Sequence, residues 1–455
     1  MQDIFKYIED HLNDSIAELT ALCKLPTVSA QNSAIQETAD HVVGLLRSLG
    51  FKTQVLPKPP GGNPVVYAEA EGKSAKTLLF YDHYDVQPAE PLELWSTPPF
   101  QPTLREGKLY GRGVSDNKGN IAARLAAIRA WREVRGELPC RIKFCIEGDE
   151  EIGSPHMEEF VEENRELLAA DACVWEGGGV TWEGIPQVTL GVKGLLYVQL
   201  ECQGISHDAH SSYGTVLPNA AWRLAWALST IKGPDERILI EGFYDDVRPP
   251  TRAERAAIEA MPSDEEDTLK AYGIGATTTG VRGLEYRLRH LLEPTATIDG
   301  LSSGYEGEGA KTVLPAKAMA KMDFRLVPDQ DPDDILAKLR AHLDRHGFGD
   351  VEVKSLGGEH PARTPITDPF VEVTRLAVRE AYGADALIVP TMAGTGPLYP
   401  FIETLKLPTT DCGIGYPDAR IHAPDENIRI EDYLLGTKAI AALLGQFGGS
   451  PGGDR

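Results

Sequence analysis

Histidine and carboxylate side chains recur in this chain where apolar runs stop. His83 and Asp85 in YDHYDVQP follow TLLF, and Glu150 and Glu151 in EGDEEIGS follow RIKFCI. Asp116 closes GRGVSD, Glu176 follows ACVW, and His422 comes late in the chain. Polar groups at the ends of predicted strands are candidates for chemistry, because open α/β sheets bind ligands at that rim. Imidazole with carboxylate suits zinc and its first-row neighbours, whereas calcium or magnesium would draw on oxygen alone. One aspartate can bridge two cations about 3.5–4 Å apart, and such a pair activates water while polarising a carbonyl. The set therefore points to a two-metal hydrolytic site with Asp116 as the bridge. Taken singly, each residue also has an ordinary reading. Asp116 could cap the helix that starts after it, His83 could be a hydrogen-bonded strand-end histidine, and Asp85 a turn residue. Glu150 and Glu151 could be a solvated charge pair. All of these must hold together for the chemical reading to fail.

The H-x-D, G-R-G-x-x-D and E-G-x-E-E-x-G-S elements, in this order, resemble the co-catalytic zinc metallopeptidase family. That family includes aminoacylase, acetylornithine deacetylase, succinyl-diaminopimelate desuccinylase, glutamate carboxypeptidase and the cytosolic dipeptidases or carnosinases. The resemblance runs from the first predicted helix to HAPDENI. It implies two divalent metal ions per subunit, zinc first, with manganese and cobalt as alternatives. His83 and Glu176 would be terminal ligands of one ion, Glu151 and His422 of the other, with Asp116 between them. Glu150 becomes the general base, and Asp85 accepts the second ring N–H of His83. The resemblance also implies a cis peptide between Asp116 and Asn117.

Further candidates lie in the second half of the chain. His210 in SHDAHSSYG matches a lid histidine that, by resemblance, reaches the active site of the neighbouring subunit and stabilises the oxyanion. Arg325 in DFRLVP matches an arginine that holds the substrate carboxylate, a task suited to a planar two-pronged cation. Thr312 and Thr395 align with polar carboxylate contacts of the dipeptidase branch, and Asn219 resembles a lid asparagine. Gly394 belongs to TMAGTGPLYP, a run of small residues expected where backbone approaches a ligand, although an ordinary loop has the same composition.

The stretch SSGYEGEGAKTVLPAKAMAKMDFRLVP resembles the dipeptidases more than the deacylases. Glu176 departs from that branch, which usually carries aspartate there, and resembles the deacylase and carboxypeptidase branch instead. The expected function is hydrolysis of the amide bond of dipeptides or short peptides through a bridged hydroxide, with Glu150 moving the proton. The alternatives are an N-acyl amino acid deacylase or a carboxypeptidase of the same family, or a non-catalytic binding protein that keeps only the fold. Retention of every ligand and of the base argues against the last.

These side chains need a scaffold, and 455 residues provide material for two cores. Helix and strand alternate to about Gly177, and PFVEVTRLAVREAYG brings the chain back to the same half. The expected architecture is an α/β catalytic domain, residues 1–191 and 363–455, whose mixed sheet carries helices on both faces. An α+β lid of residues 192–362 interrupts it, and by resemblance the lid forms a homodimer. KGLLYVQLECQG alternates as a half-exposed strand, and the polar run between Gly233 and Leu284 reads as a helical surface excursion. Ile4, Ile8, Leu12, Ile16, Leu19 and Leu22 predict one amphipathic N-terminal helix closed by Pro26, rather than a signal peptide. The tail GGSPGGDR is flexible by composition.

A net charge of −23 argues against nucleic acid or an anionic membrane as partner. No apolar run approaches the roughly 20 residues needed to span a bilayer. Six cysteines without C-x-x-C spacing fit a reducing cytoplasm. The partner that remains is a small peptide or N-acyl amino acid substrate.

Overall fold

The computed structural model describes residues 1–59 and 61–449. They form two units: Met1–Gly191, Arg363–Pro390 and the chain from Pro397 onward in one, Val192–Ala362 with Thr391–Gly396 in the other. The sequence reading keeps Thr391–Gly396 in the returning segment, whereas the structure groups it with the second unit.

Strand Ser74–His83 sits inside the sheet of the first unit. From Thr77 onward every residue is buried, as expected for a strand covered on both faces. Successive side chains point to opposite faces. Phe80 stacks on Phe144 and lies under Arg124 of helix Lys118–Arg135, while Tyr81 meets Phe401. Six strands follow in the order Lys52–Leu56, Val65–Ala70, Cys140–Glu147, Ser74–His83, Ala172–Trp175, Thr409–Asp411. The first two pairings are antiparallel and the other three parallel, so the sheet is mixed. His83 pairs in register with Glu147. The polar residues that follow these strands therefore emerge together at one rim.

Helices Gln2–Asp10, Leu12–Cys23, Lys118–Arg135, Pro369–Tyr382 and Ile430–Gly449 pack into one apolar core with this sheet. The N-terminal segment is two helices rather than the single one predicted. His11 leaves helical angles at φ −112° and ψ 17°, and its ring stacks on Tyr7 and hydrogen bonds to the Tyr7 carbonyl. The apolar spacing continues through the break, so periodicity alone does not reveal it. The last helix includes Gly448 and Gly449, the first residues of the tail expected to be flexible, and the rest of that tail lies outside the described residues.

In the second unit, strands Thr295–Ser303, Lys317–Leu326, Gly194–Gln203 and Glu352–Glu359 form an antiparallel sheet in that order. Leu196, Val198, Leu200 and Cys202 are buried, as their alternation predicts. They pack with helices Ala220–Ile231 and Pro332–Arg345. The polar excursion forms helices Arg252–Ala260, Glu265–Ala271 and Gly283–Leu292 with a small core of Ile258, Leu288 and Leu291.

Candidate metal centre

Asp116 lies between strand Lys108–Tyr110 and helix Lys118–Arg135. That helix is capped by Asn117 without a side-chain cap bond, so Asp116 does not serve as its N-cap. Instead Asp116 Oδ1 is 3.1 Å from His83 Nε2 and Oδ2 is 3.1 Å from His422 Nε2. The peptide after Asp116 is cis. His422 adopts φ +60°, the left-handed region that non-glycine residues seldom occupy.

Each histidine has a further carboxylate beside it. Glu176 Oε2 is 3.4 Å from His83 Nε2, and Glu151 Oε2 is 3.1 Å from His422 Nε2. Both oxygens are buried and satisfy no hydrogen-bond donor. Glu150 Oε2 lies 3.9 Å from His83 Nε2. Among the described residues, His83 with Glu150 and Glu176, and His83 with Asp116 and Glu151, each bring donor atoms within 4.8 Å of one another. Six of the seven side chains singled out in the sequence, His83, Asp116, Glu150, Glu151, Glu176 and His422, thus converge on one place.

Asp85 has two tasks, of which the sequence suggested one. Its Oδ1 is 3.3 Å and its backbone carbonyl 3.1 Å from His83 Nδ1, which leaves Nε2 free to face Asp116. Its carboxylate also accepts the backbone N–H groups of Glu150 and Glu151, at 3.2 and 3.1 Å. One buried aspartate therefore orients a histidine and both glutamates.

Two further residues carried no signal in the sequence. The backbone N–H of Gln87 donates to Glu151 Oε1 and its side-chain amide donates to the Glu151 carbonyl, turning Oε2 toward His422. Lys58 is buried with its ammonium 2.5 Å from Glu147 Oε2 and 3.2 Å from Asp149 Oδ2. The run EGDEE is thereby divided: Lys58 pairs with Glu147 and Asp149, and Glu150 and Glu151 face the histidines.

The electrostatics show a pocket short of positive charge. Burial opposes the charged form of His83, yet Glu176 and hydrogen bonds to Asp116 and Asp85 outweigh it and raise its pKa well above the histidine range. A hydrogen bond to Asp116 and the Glu151 carboxylate beside it raise His422 to about 10. Burial also opposes ionisation of Asp116, but the two histidines hold its carboxyl well below the usual range. Burial pushes Glu150 and Glu176 upward, with neighbouring carboxylates adding to it. Positive charge placed among these groups would favour the neutral histidines and the ionised glutamates, and so relieve the upward shifts. Orphaned carboxylate oxygens, two ring nitrogens turned toward one aspartate and this charge deficit fit divalent cations of the zinc type.

The remaining candidates belong to the second unit. Arg325 Nη1 donates to Thr395 Oγ1 at 2.5 Å, and Thr395 in turn donates to the Gly194 carbonyl at 3.3 Å. The Gly394 carbonyl accepts the Lys193 N–H, and a Cβ at Gly394 would find room, so close packing does not demand glycine there. Asn219 caps helix Ala220–Ile231 by accepting the Trp222 N–H. His210 is exposed on the short strand Ala209–His210, its Nδ1 2.9 Å from Ser212 Oγ, and the Thr312 carbonyl accepts the Ser211 N–H.

Residues 79–446 match the model of peptidase family M20/M25/M40. The chain belongs to this family. It is a metallopeptidase of the M20 type, as the motif resemblance implied. Cys-Gly metallodipeptidase dug1 of Schizosaccharomyces pombe is 28% identical over 98% of this chain and 98% of its own length. Beta-Ala-His dipeptidase of Homo sapiens is 28% identical, over 98% and 92% respectively. The crystal structure of a metallo-carboxypeptidase, Sso-CP2 of Sulfolobus solfataricus, is 38% identical with a TM-score of 0.89, covering 95% of this chain and 99% of that one. The α/β fold with its inserted antiparallel sheet is the one found in these peptidases. Among the described residues, no helix is long and apolar enough to cross a membrane.

Proposed function

We propose that this M20 peptidase hydrolyses the amide bond of dipeptides and short peptides at a centre of two divalent cations, zinc first and manganese or cobalt as alternatives. The observation that carries this reading is Asp116, whose two oxygens face two different histidines, each with its own additional carboxylate. His83 and Glu176 would hold one cation and Glu151 and His422 the other, with Asp116 shared. Bound cations supply the positive charge that polarises the scissile carbonyl and acidifies the attacking water.

Glu150 is the group placed to move protons. It stands beside the ligands, takes a proton from the attacking water and hands it to the leaving nitrogen. Burial raises its pKa, as suits a base that must accept a proton and return it. Asp85 holds His83 and the Glu150–Glu151 backbone in place. Arg325, positioned by Thr395, is assigned to the substrate carboxylate, with Thr312, Gly394 and Asn219 as its companions. His210 is assigned to the oxyanion of a neighbouring subunit's substrate.

A homodimer through the second unit is supported by an exposed apolar patch. Trp222 and Trp226 stack at 5.8 Å on the outer side of helix Ala220–Ile231, and Tyr213 and Val216 are also exposed. A cytoplasmic location is supported by six cysteines that are all free and buried. Carboxypeptidase action is the second reading, favoured by Glu176 and by the 38% identity to the Sulfolobus enzyme.

The test is a panel of free dipeptides, N-acetyl amino acids and longer peptides, run on metal-stripped protein with each cation restored. Dipeptides should be the best substrates. Preference for longer peptides with a free carboxyl end would move the assignment to the second reading. Glu150→Gln should keep its metal and lose about 10²–10⁴ in rate; near-normal turnover at full metal content would remove Glu150 from its role.

A further inference from the structure

Strand Asn427–Arg429 pairs antiparallel with strand Lys108–Tyr110 and brings Glu426 beside the loop that ends in Asp116. Glu426 is fully buried. Its carboxylate is occupied by the loop. Oε1 accepts the backbone N–H groups of Ser115 and Asp116 at 2.9 and 3.0 Å. Oε2 accepts the Gly113 N–H at 3.0 Å and Arg112 Nη1 at 2.8 Å. A carboxylate offers about four lone-pair sites, and here all four are used.

The next residue does the same for the other side of the centre. Asn427 Nδ2 donates to the carbonyls of Asp418 and Asp425 at 3.1 and 3.0 Å, and its backbone N–H donates to Ala419 at 2.8 Å. These bonds close the segment that carries His422, in which Arg420, His422 and Asp425 all have positive φ. Two consecutive residues therefore fasten both loops whose side chains meet at Asp116 Oδ2 and His422 Nε2.

We infer that Glu426 is a positioning residue: its buried carboxylate sets the backbone of Asp116 and thereby the spacing of Asp116 and His422 for a divalent cation. This rests on the reading of those two side chains as cation ligands. Glutamine cannot replace it. A carboxamide has one acceptor oxygen, so its NH2 must face either Gly113 and Arg112 or Ser115 and Asp116, and in each orientation two donors meet a donor. The loop then opens at one end, and the carboxylate of Asp116 is no longer held toward His422.

The experiment measures zinc affinity by competition with a chelating indicator on Glu426→Gln, Asp116→Ala and Leu443→Ala, together with circular dichroism of the metal-free forms. Leu443 is a fully buried core residue of the last helix and controls for general loss of stability. Glu426→Gln should keep its secondary structure and bind zinc about 10–100-fold more weakly, the usual effect of removing a group that orients a ligand. Leu443→Ala should bind as wild type. If Asp116→Ala binds zinc normally, the metal centre itself is misread. If Asp116→Ala loses zinc while Glu426→Gln binds as wild type, the inference about Glu426 alone is overturned, as it is if Leu443→Ala weakens binding equally. Should Glu426→Gln fail to fold, Arg112→Gln removes one of the four donors and should lower affinity in the same direction; wild-type affinity in that folded variant overturns the proposal.

Discussion

Lys58→Met leaves two carboxylates in the interior without their shared cation, and its cost can be worked from the contacts. The side chains of Lys58 and Glu147 are wholly buried and that of Asp149 nearly so, so the weak energetics of exposed ion pairs do not apply. Burial works against the charged form of Lys58, but Glu147 and Asp149 outweigh it and raise its pKa above the ordinary lysine value. A raised lysine pKa contributes stability that is fully present below the unfolded value of about 10.4 and is lost only as pH climbs through the folded value. At neutral pH the whole contribution is therefore in play. Methionine fills similar space without charge. Glu147 would keep the hydroxyls of Tyr81 and Ser154, and Asp149 the backbone N–H of Asn63, so neither carboxylate is stripped of every donor.

Removing one member of a buried pair costs about 3–5 kcal/mol. Urea denaturation of chelated protein at pH 7 measures it without stabilisation by bound metal. Adding Glu147→Gln to Lys58→Met should restore part of the loss. A cost below about 1 kcal/mol would refute the view that Lys58 balances the charge of EGDEE.

Three further outcomes are expected. Arg325→Lys should raise KM about tenfold with little change in kcat, because an ammonium lacks the planar fork for a carboxylate; equal loss in kcat would place Arg325 in the chemical step. Asn219→Ala should cost about 1 kcal/mol in thermal unfolding through the lost helix cap, and its proposed substrate contact should raise KM; an unchanged KM would leave Asn219 with the capping role alone. Mixing His210→Ala with Glu150→Gln subunits should recover up to about a quarter of wild-type activity in exchanging dimers, since half the dimers are hybrids and half their sites are whole. Exchange without recovery would end the assignment of His210 to a neighbouring subunit.

The candidate ligands are legible because their chemistry constrains residue type and because strands deliver them at one rim. His83, Glu150, Glu151 and Glu176 each follow an apolar run, and that pattern is local. The groups that hold them are not local. Glu426 meets Asp116 across 310 positions of chain, and it binds the loop mostly through backbone N–H groups, which every residue but proline carries. Lys58 is one of 45 basic residues, and only tertiary packing distinguishes it from a surface lysine. The same limit explains the N-terminal helices, where His11 breaks the backbone without disturbing the apolar period. Sequence pattern reports which face is buried and which side chains suit a cation. It is silent on how a buried acid is neutralised, and in EGDEE that division, with Lys58 taking Glu147 and Asp149, is what leaves Glu150 and Glu151 to the histidines.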